Sequence, residues 1–171
     1  MTINQNVINK QGFSLIEVLF SMVLFTIGIF AVVSLINQNM ASSMNRRNEV
    51  IAGQLAQEGI ELVRNIRDNN WLKTPPVDAF TGIQSGRIDY AHANSVESSS
   101  DYDLHVNGDG LYEYGSGGIF KRKIIVNGSG DEIIVTSIVT WGDTDPDVVN
   151  CESLTKCFYT EVALNKSWGK Q

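Results

Sequence analysis

The sequence predicts an α+β chain, in which one long N-terminal α-helix, membrane-spanning in its first half, packs on a C-terminal antiparallel β-sheet domain. Three observations carry this. From Phe13 to Ile36 the chain reads FSLIEVLFSMVLFTIGIFAVVSLI, almost unbroken apolar sequence with Glu17 as its single charge. No proline occurs between Phe13 and Trp71, and apolar residues recur at helical spacing throughout that stretch. From Pro75 onward the pattern changes to short apolar runs separated by Gly, Ser, Asn and Asp, as in an antiparallel sheet rather than alternating strands and helices.

The apolar run comes first in the chain. At a rise of about 1.5 Å per residue it covers roughly 36 Å as a helix, against roughly 30 Å of hydrocarbon in a bilayer. It therefore crosses with some tilt. A cleaved secretory signal has a shorter apolar core and a small-residue cleavage site, whereas this run continues directly into a helical pattern. In that continuation Met44, Val50/Ile51, Leu55, Leu62 and Ile66 recur at spacings near four and seven, so one face stays apolar. The prediction is a single helix of roughly 85 Å, stopped by Pro75-Pro76. Gly28, Gly53 and Gly59 each cost about 1 kcal/mol relative to alanine inside a helix and are candidate soft points or close-packing points. For Gly28, within lipid, close packing is the favoured use.

The sheet region follows. Ile119 to Asn127 and Glu132 to Trp141 flank Gly128-Ser129-Gly130-Asp131 and read as a hairpin. Phe120, Ile124 and Val126 share one face of its first strand, and Ile133, Val135, Val139 and Trp141 share one face of its second. Those faces are predicted to pack on the C-terminal half of the helix. Phe158 to Leu164 is a third strand, Gly86 to Tyr90 and Leu111 to Tyr114 are weaker ones, and the polar stretch Ala91 to Gly110 reads as a long surface loop.

Composition excludes several functions. With a formal charge of -6 and no basic cluster, the chain lacks the electrostatic footprint of direct nucleic-acid binding. It has no HExxH, GxSxG or phosphate-cradling glycine motif, and both histidines, His92 and His105, lie in the polar loop, so the sequence does not read as an enzyme. Cys151 and Cys157 have no nearby histidine and cannot complete a structural zinc site. They are either paired in an oxidising compartment or inert.

Gly12-Phe13-Ser14-Leu15-Ile16-Glu17, preceded by a short polar leader with Lys10, resembles the type IV prepilin signal. That signal is a glycine, an aromatic or apolar residue that becomes the new N-terminus, and a glutamate four residues beyond it inside a hydrophobic helix. The resemblance implies cleavage between Gly12 and Phe13 by a membrane-embedded aspartyl prepilin peptidase and N-methylation of Phe13. It divides the chain into a leader (1–12), a helix (13–71, spanning the membrane over about 13–36) and an extracytoplasmic β domain (72–171). Charge flanks alone leave orientation open, since Lys10 precedes the span and Arg46 and Arg47 follow it. Further along, LAQEGIELVRNIRDNNW, FKRKIIV, IVTW and FYTEVALNKSW resemble the body of PilV-like minor pilins. The membrane helix departs from many major pilins in lacking a proline.

Independently of any family, a carboxylate within hydrocarbon costs at least a few kcal/mol and needs a partner, and the helix itself supplies none near Glu17. Cleavage after Gly12 would create an amine on Phe13, and that amine on a neighbouring subunit is a suitable counter-charge for assembly. The alternative is a carboxylate that snorkels to the headgroups. The resemblance also implies a Cys151–Cys157 disulfide, like the C-terminal loop of many pilins, with two reduced surface thiols as the alternative. Asp143, Asp145 and Asp147 alternate as Ca²⁺ ligands can, but Val148 and Leu154 occupy the glycine and glutamate positions of an EF-hand; Asp103, His105, Asn107 and Gly108 fail similarly at Tyr114. Both read as turn formers, and no cofactor is assigned. Trp71, Trp141 and Trp168 read as packing anchors.

The partners this implies are the membrane, the prepilin peptidase and methylase, and other pilin subunits. The function implied is a structural one, a minor pilin of a filament at the cell surface. A type II secretion pseudopilin is the alternative, and a non-polymerising membrane-anchored binding domain is a third reading, which leaves Glu17 without a use.

Overall fold

The computed structural model describes Gly12 and residues 14–75, 77–146, 151 and 156–167. Lys10, Phe13, Pro76, Asp147, Val148, Leu154 and Trp168 lie outside the described residues, as does the rest of the leader before Gly12. Among the described residues a single α-helix, α1 (Leu15–Leu72), is followed by a 3-10 turn (Tyr90–His92) and five strands. These are β1 (Asp103–Val106), β2 (Tyr112–Tyr114), β3 (Phe120–Asn127), β4 (Glu132–Trp141) and β5 (Cys157–Asn165). The chain divides into two compact units, Met1–Met44 and Asn45–Gln171.

In the first unit the helix begins where Ser14 O accepts the amides of Glu17 and Val18, at 3.0 and 3.2 Å. Its side chains from Leu15 to Met40 are all exposed. With no proline to interrupt it, every backbone group inside it is satisfied within the helix, the condition for crossing lipid. α1 is long and apolar enough to cross a membrane.

The second unit is a five-stranded antiparallel sheet in the order β2-β1-β3-β4-β5, with residues 45–72 of α1 packed on one face. The predicted hairpin is present, with Ile124 opposite Ser137 and Phe120 opposite Trp141. Its turn uses Gly128 and Gly130 at φ of +103° and +93°, values that L side chains rarely adopt. β5 adds to β4 with Leu164 opposite Ile133 and Phe158 opposite Val139. On the helix-facing side Phe120, Ile124, Ile133, Val135, Val139 and Trp141 are all buried as predicted.

Three readings are corrected. The buried stripe of α1 is Ala52, Leu55, Ala56, Ile60, Val63 and Ile66, whereas Met44 and Val50 are exposed at 69% and 63%. Small residues set the stripe because the helix lies close on the sheet. A Cβ placed on Gly59 would be 2.6 Å from Ser137 Oγ and 3.0 Å from Ile124 Cδ1. Gly59 is thus a close-packing point, Gly53 faces the Phe158 ring at 3.5 Å, and Gly28 has nothing within 4 Å. Second, Gly86 to Tyr90 is not a strand: Gly86 and Arg87 make only isolated bridges, to Ile124 and Glu97. Third, Ala91 to Gly110 is not all surface loop, because it contains β1 and buries Val96, Tyr102 and Leu104. Apolar residues in that stretch are sparse but fall on one side, which a polar average conceals.

The tryptophans tie the two ends of the packed helical segment. Trp141 Nε1 donates to Asn45 Oδ1 at 3.1 Å, and Trp71 Nε1 donates to the carbonyl of Lys166 at 2.9 Å. Beyond the helix, buried Asn70 donates to the carbonyls of Ala79 and Thr81, holding the exit loop against the helix end.

Candidate functional site

Gly12 lies in open space, with nothing within 4 Å of where a Cβ would stand. Five residues later Glu17 sits in the first turn of α1, where the amide ends of the helix favour a negative charge. Among the described residues Glu17 has no ion pair and no side-chain hydrogen bond. Two of the other polar side chains of this stretch behave differently. Ser21 Oγ donates to the carbonyl of Glu17 and Thr26 Oγ1 to that of Val23, both at 2.8 Å, so their hydroxyls are satisfied inside their own helix. Glu17 is the single charged side chain of the apolar stretch, and among the described residues it has no partner in the helix. Along the same helical stretch Leu15, Ile16, Phe20 and Phe30 are 62% to 84% exposed, an apolar surface left uncovered among the described residues.

The remaining candidate residues lie in the second unit. Cys151 and Cys157 are joined by a disulfide, with Cα atoms 5.3 Å apart, at the start of β5. Asp143 and Asp145 follow β4 in a turn, and Asp147 lies outside the described residues. Among the described residues no group of three or more His, Cys, Asp or Glu side chains converges in a way that would hold a metal. Asp103 and His105 are strand residues: Asp103 pairs with Lys121 at 3.5 Å across to β3, and His105 Nε2 lies 3.2 Å from Glu113 on β2.

Two polar clusters went unseen in the sequence. Arg122 lies on the helix-facing side of β3 with no exposed surface, between the inward residues Phe120 and Ile124. Its guanidinium donates to the carbonyls of Leu55 (3.0 Å) and Ile88 and to the Tyr114 hydroxyl (3.4 Å), and pairs with Glu58 at 3.3 Å. Burial pushes the Tyr114 phenol up, so its hydroxyl remains a donor, to the carbonyl of Arg122 at 3.1 Å. In the second cluster, Asp89 caps the 3-10 turn and accepts from the His92 amide (2.9 Å) and the Tyr114 amide (3.3 Å), with His92 Nδ1 at 3.0 Å. Burial is the largest influence on the Asp89 carboxyl and pushes it up, but these bonds together outweigh it and hold it below the usual carboxylate range. The alternation F-K-R-K-I around Arg122 was the available signal, since it puts an arginine in phase with the core positions. The first cluster connects α1, the loop before β1 and the sheet, the second connects that loop to β2, and among the described residues neither opens on a substrate-sized cleft.

A family model described as the prokaryotic N-terminal methylation motif matches residues 8–33. No curated protein and no solved structure matches the chain. The matched segment contains Gly12 and Glu17 and most of the exposed apolar part of α1. The motif implies processing by a prepilin peptidase and assembly with other pilins. Residues 8–33 are therefore a type IV prepilin-type signal, the N-terminal methylation motif that marks pilin-like and pseudopilin-like prepilin substrates.

Proposed function

We propose that the chain is a minor pilin, cleaved after Gly12, N-methylated on Phe13 and built through α1 into a type IV pilus-like filament at the cell surface, with its sheet domain extracytoplasmic. The observation that carries this is Glu17: a carboxylate with no partner among the described residues, in an exposed apolar helix, five residues after Gly12 and inside the matched motif. A simple membrane anchor gains nothing from that carboxylate, whereas in a bundle of helices the Phe13 amine of a neighbouring subunit neutralises it.

Glu17→Gln tests the assignment. The variant keeps size and hydrogen-bonding capacity and loses the charge, so the Phe13 amine is left buried without its counter-ion, at a cost of about 3 kcal/mol. Cleavage survives, because the peptidase acts at Gly12, and incorporation falls. Filaments are sheared from cells and compared with membrane-retained protein by immunoblot. Undiminished incorporation of correctly cleaved Glu17→Gln refutes the pairing, because a snorkelling carboxylate predicts a neutral variant that inserts at least as well.

A further inference from the structure

Two asparagine-glycine pairs stand in turns of the second unit, Asn107-Gly108 between β1 and β2 and Asn127-Gly128 between β3 and β4. The dipeptide has its own chemistry. Glycine has no side chain to shield its backbone nitrogen, which can therefore reach the amide carbon of the preceding asparagine and close a succinimide ring. Closure needs an asparagine side chain that is free to turn and a backbone that can follow it. The fold treats the two pairs differently on both counts.

Asn107 is tied down from every side. Its Oδ1 accepts the amides of Asp109 (2.9 Å) and Leu111 (3.0 Å), and its Nδ2 donates to the Tyr90 hydroxyl and, at 3.2 Å, to Glu113. Its own amide donates to the Leu111 carbonyl at 2.9 Å, and its carbonyl accepts the Gly110 amide at 3.1 Å. The side chain thus organises its own turn. To bring Cγ to the Gly108 nitrogen it must release both Oδ1 bonds, which slows closure about tenfold or more.

Asn127 is exposed, and its side chain makes no hydrogen bond among the described residues. It is the last residue of β3 and pairs with Ile134 at the end of the ladder, where strands open most readily. Gly128 follows at a φ of +103°, and residues 128–130 are exposed. Neither Gly108 nor Gly128 donates its amide among the described residues, so the asparagine side chain is what distinguishes the two sites.

We propose that Asn127 is a site of spontaneous deamidation in the folded chain, from which Asn107 is protected. The Gly128 nitrogen bonds to Asn127 Cγ as the Cγ–Nδ2 bond breaks, and the proton of the Gly128 amide leaves with the NH₂ group as ammonia. Water then opens the succinimide at either carbonyl, giving aspartate or isoaspartate, with no oxidant or reductant. Either product adds a carboxylate to a turn that already carries Asp131 and Glu132. Isoaspartate also lengthens the β3 backbone by a methylene, which takes the Asn127–Ile134 pair out of register.

The experiment holds the full chain, in detergent with its disulfide intact, at mildly alkaline pH and samples it over time. Peptide mapping by mass spectrometry reads amide-to-acid conversion at each asparagine, and enzymatic methyl labelling reads isoaspartate. Asn127 is expected to convert about tenfold or more faster than Asn107. The same chain in urea is the reference, where both convert at comparable rates because glycine follows each. Equal rates in the folded chain, a faster Asn107, or a ratio that urea leaves unchanged overturns the proposal. So does an Asn127 that stays intact in the folded chain while the urea-treated chain reacts. Asn127→Gln removes most of the isoaspartate label; a label of undiminished strength places the reaction elsewhere and overturns the assignment.

Discussion

Replacing Arg122 with methionine separates two views of a buried cation. The guanidinium is fully enclosed and reaches three elements at once: the helix at Leu55 and Glu58, the loop at Ile88, and β2 at Tyr114. Methionine fills much of the volume and removes both the charge and its desolvation cost, so the loss depends on which acceptors are stranded. Leu55 O keeps its bond within the helix, and Tyr114 OH still accepts the Ile88 amide at 3.3 Å and donates to the residue-122 carbonyl. Glu58 is 38% exposed and rehydrates. The Ile88 carbonyl, beside a side chain only 1% exposed, is the acceptor left without its donor. One stranded buried carbonyl costs about 1–3 kcal/mol. The expected loss is therefore about 2 kcal/mol, or about 7 °C in Tm for a unit of this size. Arg122→Lys loses a comparable amount, because one ammonium cannot fork toward all these acceptors. The assay is urea unfolding of the Asn45–Gln171 fragment followed by tryptophan fluorescence, with an unchanged slope required for a two-state comparison. Arg122→Met at or above wild-type stability would refute the reasoning, since burial of the charge would then cost more than its bonds return.

Gly59→Ala destabilises the same fragment by about 1–2 kcal/mol, since crowding against Ser137 Oγ and Ile124 outweighs the gain of about 1 kcal/mol in helix propensity. Ser137 Oγ is buried without a hydrogen-bond partner, so adding Ser137→Ala removes the tightest contact at little cost and recovers most of the loss; purely additive changes in a double-mutant cycle would count against this. Asp89 is held below its ordinary value, so its contribution is full above about pH 4 and is lost as the pH falls through the folded value. Asp89→Ala accordingly lowers stability at neutral pH and flattens the decline in acid, and an unchanged acid limb in pH-dependent unfolding would contradict the assignment. Gly12→Trp leaves full-length precursor in the membrane, because a peptidase binding an extended backbone there has little room for a side chain; N-terminal mass spectrometry that finds mature protein beginning at Phe13 would oppose it.

The N-terminal half was legible from sequence because its physics is local. An apolar run with one carboxylate, a glycine just before it and no proline to Trp71 are properties of consecutive residues, and they survive without any knowledge of packing. The hairpin of β3 and β4 was legible for the same reason, since alternation and glycine turn chemistry are confined to neighbouring residues. Reading failed where residues cooperate across the chain. The helix face was assigned by the large apolar side chains Met44 and Val50, while the sheet selected Ala52, Ala56 and Gly59, whose value is their smallness beneath Ser137 and Ile124. β1 was hidden in a polar average because Leu104 stands between Asp103 and His105, and the burial of Arg122 was not legible because its acceptors come from α1 and the loop before β1, dozens of residues away. Consecutive residues suffice for the processing signal, the apolar helix and the class of fold. Which face of that helix is buried and which charge goes inside depend on surfaces that meet only after the chain has folded.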